Sequence, residues 1–106
     1  MPRKLDKNPF YLPAVEARAI AWGRCVRTQR VAQKVTARVF CSRIQVSEST
    51  LRRLEQGDPS IAVGTYLTAL VALGLLDHVV PMPASHWIGG DPAARARPVK
   101  DDDDYF

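Results

Sequence analysis

The sequence is poor in the residues from which several large classes of protein are built. Its 106 residues hold two cysteines, Cys25 and Cys41. That is too few to staple a secreted mini-protein, and they stand at no zinc spacing, so both read as free, buried and inert thiols. The two histidines, His78 and His86, are isolated from other ligand types, and packing or solvent-facing roles are expected for both, with no metal. Apolar runs are short: the best, residues 61–76, is interrupted by Gly64, Thr65, Thr68 and Gly74, below the roughly 18 residues that suggest a membrane span. The N-terminal stretch MPRKLDKNPFYLP is basic but has no apolar centre, so neither a signal peptide nor a membrane contact is expected, and the cytoplasm is the expected location. There is no glycine-rich phosphate loop, no nucleophile with a matched base and no metal set, so the chain is expected to be no enzyme and to need no cofactor.

Acid is scarce where base is dense. Fifteen Lys and Arg oppose eleven Asp and Glu, a net charge of +4, but four of the acids are the consecutive Asp101 to Asp104. Taking those four away leaves +8. Between Arg18 and Arg53 stand nine basic residues, Arg18, Arg24, Arg27, Arg30, Lys34, Arg38, Arg43, Arg52 and Arg53, and one acid, Glu48. Such a block inside a foldable segment suggests a polyanionic partner. At 46% hydrophobic and 25% charged the composition is otherwise that of a globular protein, and the length allows one small core.

Pro2, Pro9 and Pro13 interrupt the start of the chain, predicting an arm at 1–13 that carries the apolar Phe10, Tyr11 and Leu12. From Ala14 to about Ala32 the apolar positions Val15, Ala19, Trp22 and Val26 recur at helical spacing, predicting an amphipathic first helix with Arg24, Arg27 and Arg30 on its far side. Thr36 is a good N-cap for a short second helix containing Phe40, Cys41 and Ile44. Ser47 offers another cap, with Glu48 in the first turn of a third helix running to about Gln56. Gly57, Asp58 and Pro59 end that helix, and a loop leads to a fourth helix from about Thr65 to Leu73, capped by Gly74. Residues 75–80 suit one further turn. The rest is tail by composition, and no strand alternation and no repeat is found. The expected architecture is all-α, a compact bundle of about five helices. It is organised as an arm at 1–13, a helical domain at 14–80 and a C-terminal extension with an acidic tail at 81–106.

Two short helices joined by a tight turn, with apolar locks at Phe40, Ile44, Val46, Leu51 and Leu54 and the small Cys41 where the third helix crosses the second, form a helix-turn-helix pattern. The segment Thr36 to Gly57, TARVFCSRIQVSESTLRRLEQG, resembles the Cro and phage-repressor type of helix-turn-helix, the xenobiotic response element family. The resemblance covers roughly Ala21 to Leu76. The wording of the fourth helix, GTYLTALVALGLLD, also resembles small repressor-antitoxins that accompany HipA-type toxin kinases. The first resemblance implies a sequence-specific transcriptional repressor that binds a palindromic operator in double-stranded DNA as a homodimer, its third helix in the major groove. The second implies an alternative, an antitoxin that regulates its own operon and binds a toxin kinase. A further alternative abandons DNA and makes the helices a protein interaction module.

Carried across by position, the resemblance places Glu48, Ser49, Arg52 and Arg53 on base edges, where arginine suits the guanine acceptors and predicts a G·C-containing half-site. Glu48 reads equally well as a favourable first-turn acid. Thr36, Ala37, Arg38 and Ser47 fall at the family's phosphate clamp, and Arg30 with Glu55 where it places a salt bridge between the first and third helices. The chain departs from the family in four places. Ala37 replaces a usual Gln, Gln45 a usual turn Gly, and Lys34 with Val35 a common Gly-Leu. The loop 60–63 has no basic residue, which shifts expected phosphate contacts toward Arg24 and Arg27. Trp22 is expected in the core and Trp87 on a dimer or partner surface. For the acidic tail three roles stay open: solubility, docking on a basic partner, or folding over the DNA-binding face as a phosphate mimic.

Overall fold

In a computed structural model, which describes residues 10–89, the chain forms five α-helices and one 3-10 turn, with no strand among the described residues. The helices are α1 (Pro13–Ala32), α2 (Ala37–Ile44), α3 (Glu48–Glu55), α4 (Val63–Ala72) and α5 (Leu76–Val79), followed by the 3-10 turn Ser85–Ile88. Pro13 is itself the first residue of α1, where its missing N–H costs nothing and its fixed φ suits the helix. The fourth helix begins two residues before the expected Thr65, because Ala62 already supplies the carbonyl that Thr65 and Tyr66 donate to.

The core joins α1 to the other helices through Ala19, Val26, Phe40, Cys41, Ile44, Leu51, Leu54, Ile61, Tyr66, Ala69, Leu70 and Leu73. Trp22 is half-buried and meets Tyr66 edge-to-face, with ring centroids 5.7 Å apart, a favoured aromatic geometry. The buried stripe of α1 is Ala19, Gly23, Val26 and Arg30, which corrects two expectations. Val15 is exposed and Arg30 is buried. A helix of twenty residues spans about 30 Å, while the eight residues of α3 span about 12 Å, so the first turn of α1 runs beyond the elements that could cover it. Cys25 is half-buried rather than buried, and only Cys41 lies in the core.

Gly23 lies where α1 crosses the end of α3. A Cβ there would collide with the Leu54 carbonyl oxygen and come within 2.9 Å of that of Glu55, so only a glycine permits this approach. The α3 helix ends on Gly57, at φ 84°, with Gly57 N donating to Leu54 O and Asp58 N to Arg53 O, the paired closure of a Schellman motif. Residues 81–89 are exposed throughout, and among them Trp87 is 76% exposed and Met82 79%. The acidic run Asp101 to Asp104 and residues 1–9 lie outside the described residues.

Candidate nucleic-acid interface

The turn between α2 and α3 sets the interface. Thr36 Oγ1 accepts from Val39 N at 3.2 Å and starts α2. At the other end Gln45 takes φ 61° and ψ 50°, and Val46 N reaches back to Cys41 O at 3.1 Å. A non-glycine residue in that left-handed conformation costs on the order of 1 kcal/mol, and the Gln45 side chain adds a bond from Nε2 to Ser42 O at 3.2 Å. Ser47 Oγ then accepts from Thr50 N at 3.1 Å, donates to Thr50 Oγ1 and lies 3.2 Å from Ser49 Oγ. With both caps in place, Leu51 and Leu54 turn inward, and α3 presents Glu48, Ser49, Arg52 and Arg53 to solvent.

Around this face the other expected contact residues are distributed unevenly. Arg38 is exposed and lines, with Cys41, Ser42, Gln45, Val46, Ser47 and Glu48, an open groove between α2 and α3. Ala37 is half-buried against the core, so its backbone amide is the group it can offer an anion. The hydroxyl oxygens of Thr36 and Ser47 are taken up by their own helix caps. Arg24 and Arg27 are exposed on α1, and Arg27 Nη1 lies 3.6 Å from Glu55 Oε1.

Arg30 and Glu55 meet as a fork. Arg30 Nε donates to Glu55 Oε2 at 2.7 Å, Nη2 donates to Oε1 at 3.1 Å, and Nη1 donates to Val35 O at 3.0 Å. The hydrogen bonds to Glu55 raise the guanidinium pKa above its ordinary value despite burial. The pair therefore ties α1 to α3 and to the segment entering α2. Burial pushes the Cys41 thiol up, with Glu48 adding to the effect, so Cys41 stays a neutral packing group at pH 7.

A second knot has no counterpart in the expectations above. Arg53 Nε donates to Asp58 Oδ2 at 2.9 Å, and Nη2 donates to Ser60 Oγ at 2.9 Å. Asp58 Oδ1 accepts from Ser60 N at 2.8 Å and from Ser60 Oγ at 2.7 Å, while Tyr66 Oη donates to Asp58 O at 2.8 Å. Burial alone would raise the Asp58 pKa, but the bonds from Ser60 and Arg53 outweigh it and hold the carboxyl below its ordinary value. The sequence signal for this knot is Asp58-Pro59-Ser60, an acid two residues before a hydroxyl in a turn, the pattern of an Asx turn. Another unforeseen tie is Gln33 Nε2 donating to Leu73 O at 3.1 Å, which joins the ends of α1 and α4.

These elements define a class, an all-α module that holds one short, arginine-bearing helix across another and exposes its first turns. The helix-turn-helix domain family matches residues 21–81, and the chain belongs to that family, as the resemblance to the Cro and phage-repressor type implies. Membership supports a DNA-binding regulator. No curated protein and no solved structure matches the chain. Among the described residues no helix is long and apolar enough to cross a membrane, and no group of three His, Cys, Asp or Glu is placed to hold a metal ion.

Proposed function

We propose that this chain is a sequence-specific transcriptional repressor that inserts α3 into the major groove of a palindromic operator as a homodimer. The observation that carries the reading is the exposed face of α3, with Glu48, Ser49, Arg52 and Arg53 opposite the buried Leu51 and Leu54. Base edges are read by those four residues. Phosphates are met by Arg24, Arg27 and Arg38 and by the backbone amides at Thr36, Ala37 and Ser47, where two helix N-termini favour negative charge.

A single recognition helix of eight residues covers too little DNA for tight specific binding, which supports a dimer with half-sites about one helical turn apart. The exposed apolar residues Val63 and Val71 on α4, with Met82, Trp87 and Ile88 beyond α5, supply surface for that contact. The test is fluorescence anisotropy with the chain's own promoter fragment against a scrambled duplex, alongside sedimentation at micromolar concentration. Tight binding to the promoter alone by a dimer supports the proposal; equal affinity for both duplexes or a monomeric complex overturns it. The antitoxin alternative uses the same DNA face and adds a toxin kinase on the N-terminal arm or the C-terminal tail. Co-purification with the product of the adjacent gene separates the two.

A further inference from the structure

We infer that Asp58 and Ser60 are positioning residues for base reading: they hold the Arg53 guanidinium by one edge so that its other edge meets a guanine. The inference rests on the DNA-binding reading above and adds to it a specificity device outside the recognition helix. A guanidinium has two forks of parallel N–H groups. One is formed by Nε and the nearer hydrogen of Nη2, the other by Nη1 and the outer hydrogen of Nη2. Asp58 takes the Nε hydrogen and Ser60 receives a bond from Nη2, so the first fork is occupied within the protein. Nη1, for which no partner is found within hydrogen-bond distance among the described residues, belongs with the outer Nη2 hydrogen to the second fork, whose geometry suits guanine O6 and N7.

The anchor is itself anchored. Asp58 Oδ1 accepts twice from Ser60, and its backbone carbonyl accepts from Tyr66, whose side chain is buried in the core. An arginine on an exposed helix ordinarily samples many rotamers, and fixing them on binding costs free energy. Here that ordering precedes the DNA. The Arg53 side chain remains 52% exposed, so the held group is still open to a groove. A carboxylate at this position also repels phosphate, which distinguishes the arrangement from a device for general affinity. The loop that bears it lacks any basic residue, so it contributes selectivity rather than backbone attraction.

The experiment uses the full chain and a randomised duplex library. Wild type, Asp58→Asn, Arg53→Lys and Ser60→Ala are selected against the library, then titrated on the enriched duplex and on each of its single base-pair variants. The Asp58→Asn side chain keeps an oxygen for the Ser60 amide but presents no charge to Arg53, and circular dichroism checks that each variant keeps its helices. The expected result is that wild type prefers a G·C pair at one position by roughly tenfold, that Asp58→Asn and Arg53→Lys lose this preference, and that Ser60→Ala weakens it. Affinity of Asp58→Asn for the remaining sequences is expected to hold or rise, with a steeper salt dependence. An unchanged preference in Asp58→Asn, or a uniform loss of affinity for all duplexes, overturns the inference while leaving DNA binding intact. A wild-type chain that enriches no sequence overturns the DNA-binding reading and the inference with it.

Discussion

Replacing Glu55 with alanine is expected to destabilise the domain by about 3–5 kcal/mol, the cost of leaving a buried charge without its partner. The side chains of Arg30 and Glu55 are 9% and 7% exposed, so water cannot replace the carboxylate. Of the three hydrogen bonds the Arg30 guanidinium makes, Glu55 accepts two and the Val35 carbonyl one. The substitution thus leaves a desolvated cation with a single neutral acceptor. Domains of this size have a total stability of about 5–15 kcal/mol, and each kcal/mol moves the melting temperature of a small domain by roughly 4–8 °C. A fall of roughly 12 °C or more is therefore expected. The double substitution Arg30→Met with Glu55→Leu removes both charges at similar volume and is expected to return to within about 1 kcal/mol of wild type. Urea unfolding followed by circular dichroism on the wild type, Arg30→Met, Glu55→Leu and the double variant closes the cycle, with Glu55→Ala measured beside them. A cost below about 1 kcal/mol for Glu55→Ala, the value of an exposed pair, or a double variant no more stable than the single, would refute the reasoning.

Three further outcomes follow from the same geometry. Gly23→Ala is expected to destabilise by about 1–3 kcal/mol through overpacking against the Leu54 and Glu55 carbonyls, and unchanged thermal unfolding would contradict that crossing. Gln45→Gly is expected to raise stability by roughly 0.5–1 kcal/mol by relieving the left-handed backbone, with Gln45→Val lower than wild type; calorimetry on the pair decides it. Tyr66 is 2% exposed and its pKa is raised from 10.0 to about 12, chiefly by burial, with Asp58 adding to it. The phenol of the unfolded chain ionises first, so stability held below pH 10 is lost as pH rises to about 12, by roughly 2–3 kcal/mol. Tyr66→Phe sits lower at neutral pH because its bond to Asp58 O is gone, but it should lack that alkaline loss. Parallel stability curves for the two proteins from about pH 9.5 to about 12, a range that spans both pKa values, would rule out Tyr66 as the source.

The caps and breakers were legible because they act within a few residues. Thr36 and Ser47 bond the third amide after them, and Gly57 closes α3 on carbonyls of that helix's last turn. The inward positions Phe40, Ile44, Leu51 and Leu54 were legible for the same reason, since helical period alone puts them on one side. The facing of α1 was harder. A stripe through Val15, Ala19, Trp22 and Val26 and one through Ala19, Gly23, Val26 and Arg30 differ by a small rotation, and an arginine counts against burial until its acid is known.

By itself the sequence determined an all-α chain, its two capped short helices and a basic block awaiting a polyanion, because each is set by neighbours in the chain or by summed charge. That Gln45 turns left-handed rather than reshaping the turn was decided by the structure. Only the tertiary structure decided that Gly23 must be bare, that Arg30 is buried, and that Asp58 and Ser60 hold one edge of Arg53. The contacts of Gly23 with the end of α3 and of Arg30 with Glu55 join residues 25 or more positions apart, and the Arg53 contact depends on how the α3–α4 loop folds back on its helix and is pinned by Tyr66. Helix crossings and loop closure set such distances, and neither is written in local periodicity.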